Sequence, residues 1–154
     1  MDRLAQGGND RAFVFPNARI ADHPLDMSFS GLKTAVLNTI HNARQKGETL
    51  DLHDLAASFA AAVSDALIPR AMEANARTGY GKITVAGGVA ANSRIRADLE
   101  AACGRARAKL WLPPLALCGD NAAMIGSQGY YEYLAGHIAG WELNAWASLD
   151  ISKG

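Results

Sequence analysis

The sequence predicts an α/β fold in which helices cover a sheet. Three observations carry that expectation. Four segments repeat apolar residues at helical spacing, two short apolar runs read as strands, and the order helix, helix, strand, helix, strand, helix mixes the two kinds along one chain. A glycine pair, Gly87 and Gly88, stands where the first strand gives way to a helix.

The first 27 residues show no sustained period of either kind, and their Gly, Asn, Pro and Asp content marks turns and irregular chain. So long an irregular opening is uncommon in a compact domain. It is expected to be a surface arm or the lead-in from a longer protein. In "SFSGLKTAVLNTIHNARQKGE", Leu32, Val36, Ile40 and Ala43 fall on one helical face, and Ser28 or Ser30 can cap the free amides. The next segment opens on a Thr/Asp capping signal, repeats Leu52, Leu55, Phe59, Val63 and Leu67, and ends at Gly79. Pro69 would remove an amide and press on the carbonyl of Asp65, so a kink or break is expected there. "KITVAGG" is a short buried strand, and "AANSRIRADLEAACG" a helix with Ile95, Leu99, Ala102 and Cys103 on its inner stripe. "AKLWLPP" is a second strand closed by Pro113 and Pro114, and a last helix begins at Asp120. Two strands are too few for a stable open sheet, so further strands must come from the tail, the opening stretch or a segment elsewhere.

Composition bounds the function classes. With 154 residues, 49% of them hydrophobic, the chain can bury one sizeable core. Lys plus Arg balances Asp plus Glu at 15 each, so bulk charge does not announce a nucleic-acid binder. Cys103 and Cys118 lack metal-type spacing and read as reduced thiols. The opening residues do not resemble a secretory leader, and the apolar runs fall short of the roughly 20 residues that span a bilayer. A soluble, cytoplasmic protein without a membrane partner is expected.

Several short stretches could carry chemistry. In "AGGVAANSR", Gly87 and Gly88 permit close approach of a ligand to the backbone, and the following helix presents free amides to an anion. Asn92 could contact a phosphate, ribose or base edge; equally, the pair could be a plain tight turn with Asn92 as a helix cap. Asp120, in "LCGDNAAMIG", could cap a helix or reach a metal ion, though His23, His41, His53 and His137 include no metal-binding pair on a helix. Ser30 and Lys33, in "SFSGLKT", could meet a phosphate or an RNA backbone, or Ser28 and Ser30 could be caps with Phe29 as a staple. Cys118 has no neighbouring base and reads as a small buried residue. Arg94, Arg96, Arg105, Arg107 and Lys109, offset by Asp98 and Glu100, read as a solvated face.

Taken in order, "DRLA", "FVFP", "SFSGLKTAVLN", "DLAASFAAAVSDAL", "VAGGVAANSRIR" and "LCGDNAAMI" resemble the TsaD family, also called the Gcp or glycoprotease-like family, over nearly the whole chain. The last four of these, ordered and with family-like spacing, are far more specific than one glycine motif. The resemblance implies a two-lobed ASKHA (actin-like and sugar kinase-like) fold, of which residues 28–154 would be the C-terminal lobe and residues 1–27 a connecting arm from an N-terminal lobe. It implies transfer of a threonylcarbamoyl group from threonylcarbamoyl-AMP to the exocyclic amine of the adenosine beside the anticodon in tRNAs that read codons beginning with A. An older description of such proteins is O-sialoglycoprotein endopeptidase. By the same resemblance, Asn92 contacts the adenylate, Gly87 and Gly88 form the turn against the nucleotide, Asp2 lies at the ribose, and Asp120 is a ligand of a divalent metal, Fe or Zn. Ser30 and Lys33 would lie near the cleft.

The family's His-x-x-x-His metal pair and N-terminal Gly-rich phosphate loop are absent from this sequence. The resemblance therefore implies a C-terminal lobe that is inactive alone and does not retain the metal, because one carboxylate cannot hold it tightly. It also implies docking with partner subunits of the threonylcarbamoyladenosine machinery and self-association through the uncovered cleft face. A non-catalytic scaffold lobe is the alternative reading, and a sugar or acid kinase of the same fold is a third.

Overall fold

A computed structural model describes residues 1–148. They fall into two compact units that divide after Gly119.

The first unit contains a helical turn α1 (Asp2–Ala5), strands β1 (Arg19–Ile20) and β2 (His23–Met27), helices α2 (Ser30–Lys46) and α3 (Leu52–Thr78), strand β3 (Lys82–Thr84), helix α4 (Ser93–Ala106) and strand β4 (Lys109–Trp111). Single 3-10 turns follow the last two strands, at Gly88–Ala91 and Leu115–Leu117. The fold is α/β, with two small sheets rather than one. β1 and β2 pair antiparallel, and β3 and β4 pair parallel with Ile83 opposite Leu110. The opening residues thus do supply strands, but to a separate sheet.

Helix α3 organises the unit. Asp51 caps it by accepting from the amides of His53 (2.8 Å) and Asp54 (3.2 Å), and Gly79 ends it at φ +69. The expected break at Pro69 does not occur; α3 runs continuously from Leu52 to Thr78. Packing explains why. Ile68 is buried with Ile95, Leu99 and Ala102, and Val63, Leu67 and Met72 of α3 pack against the same cluster on both sides of Pro69. Burying a large aliphatic side chain contributes about 1.5–3 kcal/mol. Several of these outweigh the ~3 kcal/mol that an interior proline costs a helix. Val85 and Leu110 join the cluster from the sheet, while Lys82, Thr84, Lys109 and Trp111 face outward. Among the described residues, the helices therefore cover one face of β3–β4, not both.

The opening stretch is also ordered, contrary to its irregular sequence. Asn9 N donates to Asp54 Oδ1 (2.7 Å), Phe13 N to Ser58 Oγ (3.1 Å), and Ser58 Oγ to the Asn9 carbonyl (3.2 Å). Ala56, Ala57, Ala60 and Ala61 of α3 are buried, small enough to admit a close neighbour. A Cβ on Gly8 would overlap the His53 carbonyl, so glycine is required at that approach.

By length and composition alone α3 could cross a membrane, which the sequence reading did not anticipate; half of its most apolar window is buried within the fold. A buried core helix passes the same test.

In the second unit, α5 (Ala122–Leu134) starts two residues after the expected Asp120, and its cap is Asn121: Asn121 Oδ1 accepts from Met124 N at 3.1 Å. None of its residues is buried, and Met124, Ile125, Tyr130, Tyr131, Tyr133 and Leu134 are exposed.

Candidate functional site

The parallel pair β3–β4 sets the geometry. A right-handed crossover through a helix leaves the loops after two parallel strands side by side at their C-terminal ends, where ligands bind in open α/β sheets. Here α4 is that helix, and the two loops are Val85–Asn92 and 112–119.

The first loop is shaped by its glycines. Gly87 has φ +83 and ψ 175, a conformation closed to residues with a side chain. The chain then makes its 3-10 turn, with Ala90 N donating to the Gly87 carbonyl (3.0 Å) and Asn92 N to the Val89 carbonyl (3.0 Å). A Cβ on Gly87 or Gly88 would meet nothing within 4 Å, so open space stands over the turn. Asn92 caps α4, its Oδ1 accepting from Ile95 N at 3.0 Å. The cap uses only the oxygen. The amide nitrogen of this half-buried side chain stays available to a ligand.

Asp2 joins this turn from the far end of the unit. Its Oδ1 accepts from Ser93 N (3.0 Å) and Ser93 Oγ (2.8 Å), so a carboxylate lies at the first residue of α4, where the helix dipole favours it. Proximity to the chain end does not leave it loose. Gly87, Gly88, Asn92 and Asp2 are thereby brought together.

Two arginines hold the arrangement. Arg94 bridges Asp10 (2.7 Å) and Asp98 (2.6 Å), and Asp98 also accepts from Ser64 Oγ (2.5 Å). The Arg94 guanidinium, through its hydrogen bond, holds the Asp10 carboxyl below its ordinary range even though burial pushes the other way. Arg96 donates to the Ala90 carbonyl (2.7 Å) and the Pro113 carbonyl (3.1 Å), tying the first loop to the second, with Cys118 Sγ 3.9 Å from its Nη1. Arg105, Arg107 and Lys109 stand on the solvated face expected of them, but Arg94, Arg96 and Asp98, expected there too, do not. These three are half-buried ties, and only the four-residue spacing of Arg94 and Asp98 signalled one of them. Ser93, Asp10 and the Arg96 contacts had no local signal, because their partners are distant in sequence.

The other expected residues lie on other elements or loops. Ser30 begins α2, but Phe29 is the cap residue and neither Ser28 nor Ser30 makes a side-chain cap bond; the Ser30 carbonyl accepts from Thr34 Oγ1 at 3.0 Å. Lys33 is exposed on the first turn of α2 and makes no side-chain bond among the described residues. Asp120 opens the second unit. Among the described residues no three His, Cys, Asp or Glu side chains stand together as metal ligands, so the residues present do not by themselves fit a divalent ion. Cys103 and Cys118 are buried free thiols, and burial pushes the Cys103 thiol up.

Comparison with known proteins gives a consistent answer. The TsaD family profile, described as tRNA N6-adenosine threonylcarbamoyltransferase, matches residues 1–127. A protein of that name from Moorella thermoacetica is 45% identical over 99% of this chain and 44% of its own length. One from Streptococcus uberis is 48% identical over 97% of this chain and 43% of its own. A third, from Clostridium botulinum strain 657, is 42% identical over 99% and 45%. The chain spans less than half the length of these curated relatives.

Proposed function

Since the chain belongs to the TsaD family of tRNA N6-adenosine threonylcarbamoyltransferases, we propose that it carries the adenylate-binding part of such a cytoplasmic transferase, with threonylcarbamoyl-AMP and tRNA as substrates. In this reading Gly87 and Gly88 let the nucleotide come against the backbone, Asn92 offers its amide to the adenylate, and Asp2 accepts from the ribose hydroxyls. The reaction joins the exocyclic nitrogen of the tRNA adenosine to the carbamoyl carbon. The bond from that carbon to the phosphate oxygen breaks, the amine gives up a proton, and AMP leaves. No protein nucleophile is needed. The contribution of these residues is to hold and orient the adenylate, which favours the reaction by proximity.

One observation supports this most: a carboxylate 91 positions away in sequence is hydrogen-bonded to the first residue of α4, beside a glycine turn with open space above it. Further parts of the proposal rest on the resemblance of the sequence blocks to the family. In a protein of their full length, residues 1–27 would lead in from an N-terminal lobe of an ASKHA fold, and Asp120 would be one ligand of an Fe or Zn ion whose other ligands lie outside this sequence. Ser30 and Lys33 would line the cleft. Partner subunits, or a second copy of the chain, would cover exposed apolar surface such as that of α5.

Calorimetric titration of the chain with AMP, beside an Asn92→Asp variant, tests the reading. Aspartate keeps the helix cap but offers no amide and adds a negative charge. Binding by the natural sequence and its loss in the variant is the expected result. Equal binding by both, or none by either, would sink the assignment of the turn. Threonylcarbamoyl transfer to tRNA by this chain alone, given metal and substrates, would overturn its expected inactivity.

A further inference from the structure

The β1–β2 hairpin and Arg70 of α3 line a pocket that shares no residue with the glycine turn. Arg19, Ile20, Ala21, Asp22, Pro24 and Arg70 line an open cavity of about 540 Å³, within the ~300–1,000 Å³ common for ligand pockets. Arg70 is only 7% exposed, deep for a group that does not give up its charge. Its Nε donates to the Asp26 carbonyl (3.0 Å) and its Nη1 to the Ala66 carbonyl (2.5 Å). Among the described residues no carboxylate pairs with it and its Nη2 has no partner. Asn75 Oδ1 is the one described side-chain polar atom that is both sealed from solvent and unpartnered, so Arg70 Nη2 keeps some exposure, and Arg70 is part of the cavity lining. The Asp26 carboxylate makes no ion pair with Arg70 and lies 3.5 Å from His23 Nδ1. Arg19 stands exposed on the rim, and Asp22 on the wall leaves the lining one positive charge in excess.

A buried cation whose hydrogen bonds go only to carbonyls is costly, and an anion in the cavity relieves that cost. We propose that this pocket binds a phosphate group, with Arg70 as the inner donor and Arg19 as the outer. Two forked guanidiniums match the several oxygens of a phosphate better than the two of a carboxylate. The site itself stands without the transferase reading. The choice of an RNA phosphodiester over a free phosphate as its source rests on that reading, in which tRNA is the substrate.

The test follows the Arg70 Nε–Hε resonance by NMR while inorganic phosphate, and separately a short RNA hairpin, is titrated into the full chain. Phosphate is expected to shift the resonance saturably, and the RNA to shift it and compete with phosphate. Arg19→Ala should weaken phosphate binding about tenfold, the loss of one hydrogen bond to a charged group. Arg19 is exposed, so this variant keeps the test decisive even where Arg70→Lys unfolds the chain. Asn92→Asp should leave phosphate binding at Arg70 unchanged, separating this site from the glycine turn. A resonance unmoved by phosphate, or equal affinity in Arg19→Ala and the natural sequence, overturns the site. Phosphate binding without RNA binding keeps the site and overturns RNA as its source.

Discussion

Gly87 and Gly88 look alike in sequence and differ in the fold. Gly87 is held at φ +83, whereas Gly88 lies outside the left-handed region, and a Cβ would meet nothing at either. Gly87→Ala should therefore lower stability by about 1–2 kcal/mol through backbone strain alone, and Gly88→Ala should change it little; urea unfolding of both variants checks this. If a ligand comes against the backbone here, Gly88→Ala should still weaken its binding. Asp10 makes the second residue-scale prediction. Its folded pKa lies below the ordinary 3.8 because Arg94 donates to it. A depressed pKa contributes stability that is full above the unfolded value and is lost as pH falls through the folded one. The pair is about one-third exposed on each side, so Asp10→Asn should cost no more than about 0.5–1 kcal/mol at pH 7. The difference between variant and natural sequence should shrink as pH falls below about 4, read from denaturant midpoints across pH.

The elements show where local signals suffice. The bounds of α3 and α4 follow from Asp51, Gly79 and the apolar stripe of Ile95, Leu99, Ala102 and Cys103, all readable in order along the chain. The continuity of α3 was not readable. A proline reports its local cost, whereas the packing of Val63, Leu67, Ile68 and Met72 against α4 and the sheet is set by residues well beyond the neighbouring turns of the helix. Pro69→Ala should restore an amide to the Asp65 carbonyl and raise stability by about 1–3 kcal/mol, seen as a higher urea midpoint with an unchanged m-value. The short opening elements, α1, β1 and β2, show no period because two to five residues are too few to display one. Hydrogen bonds to Asp54 and Ser58, not patterning, order the stretch between them.

At the scale of the whole molecule, the two units differ in how they bury apolar surface. The first holds the described core, while α5 in the second exposes Met124, Ile125, Tyr130, Tyr131, Tyr133 and Leu134. A helix that is apolar over much of its surface is stable when another surface covers it. Sedimentation of the chain should show concentration-dependent association, and Ile125→Glu with Tyr133→Glu should suppress it; a monomer at all concentrations would remove self-association from the reading. By itself the sequence determined the α/β class, the principal helices, the glycine turn with Asn92, and membership of a family through ordered blocks, because each rests on spacing along the chain. Tertiary structure alone decided that Asp2 meets Ser93, that Arg96 ties two loops together, that Pro69 is tolerated, and that Arg70 is a buried cation beside a cavity. Each of those depends on groups brought together across long stretches of chain, and local pattern records only near neighbours.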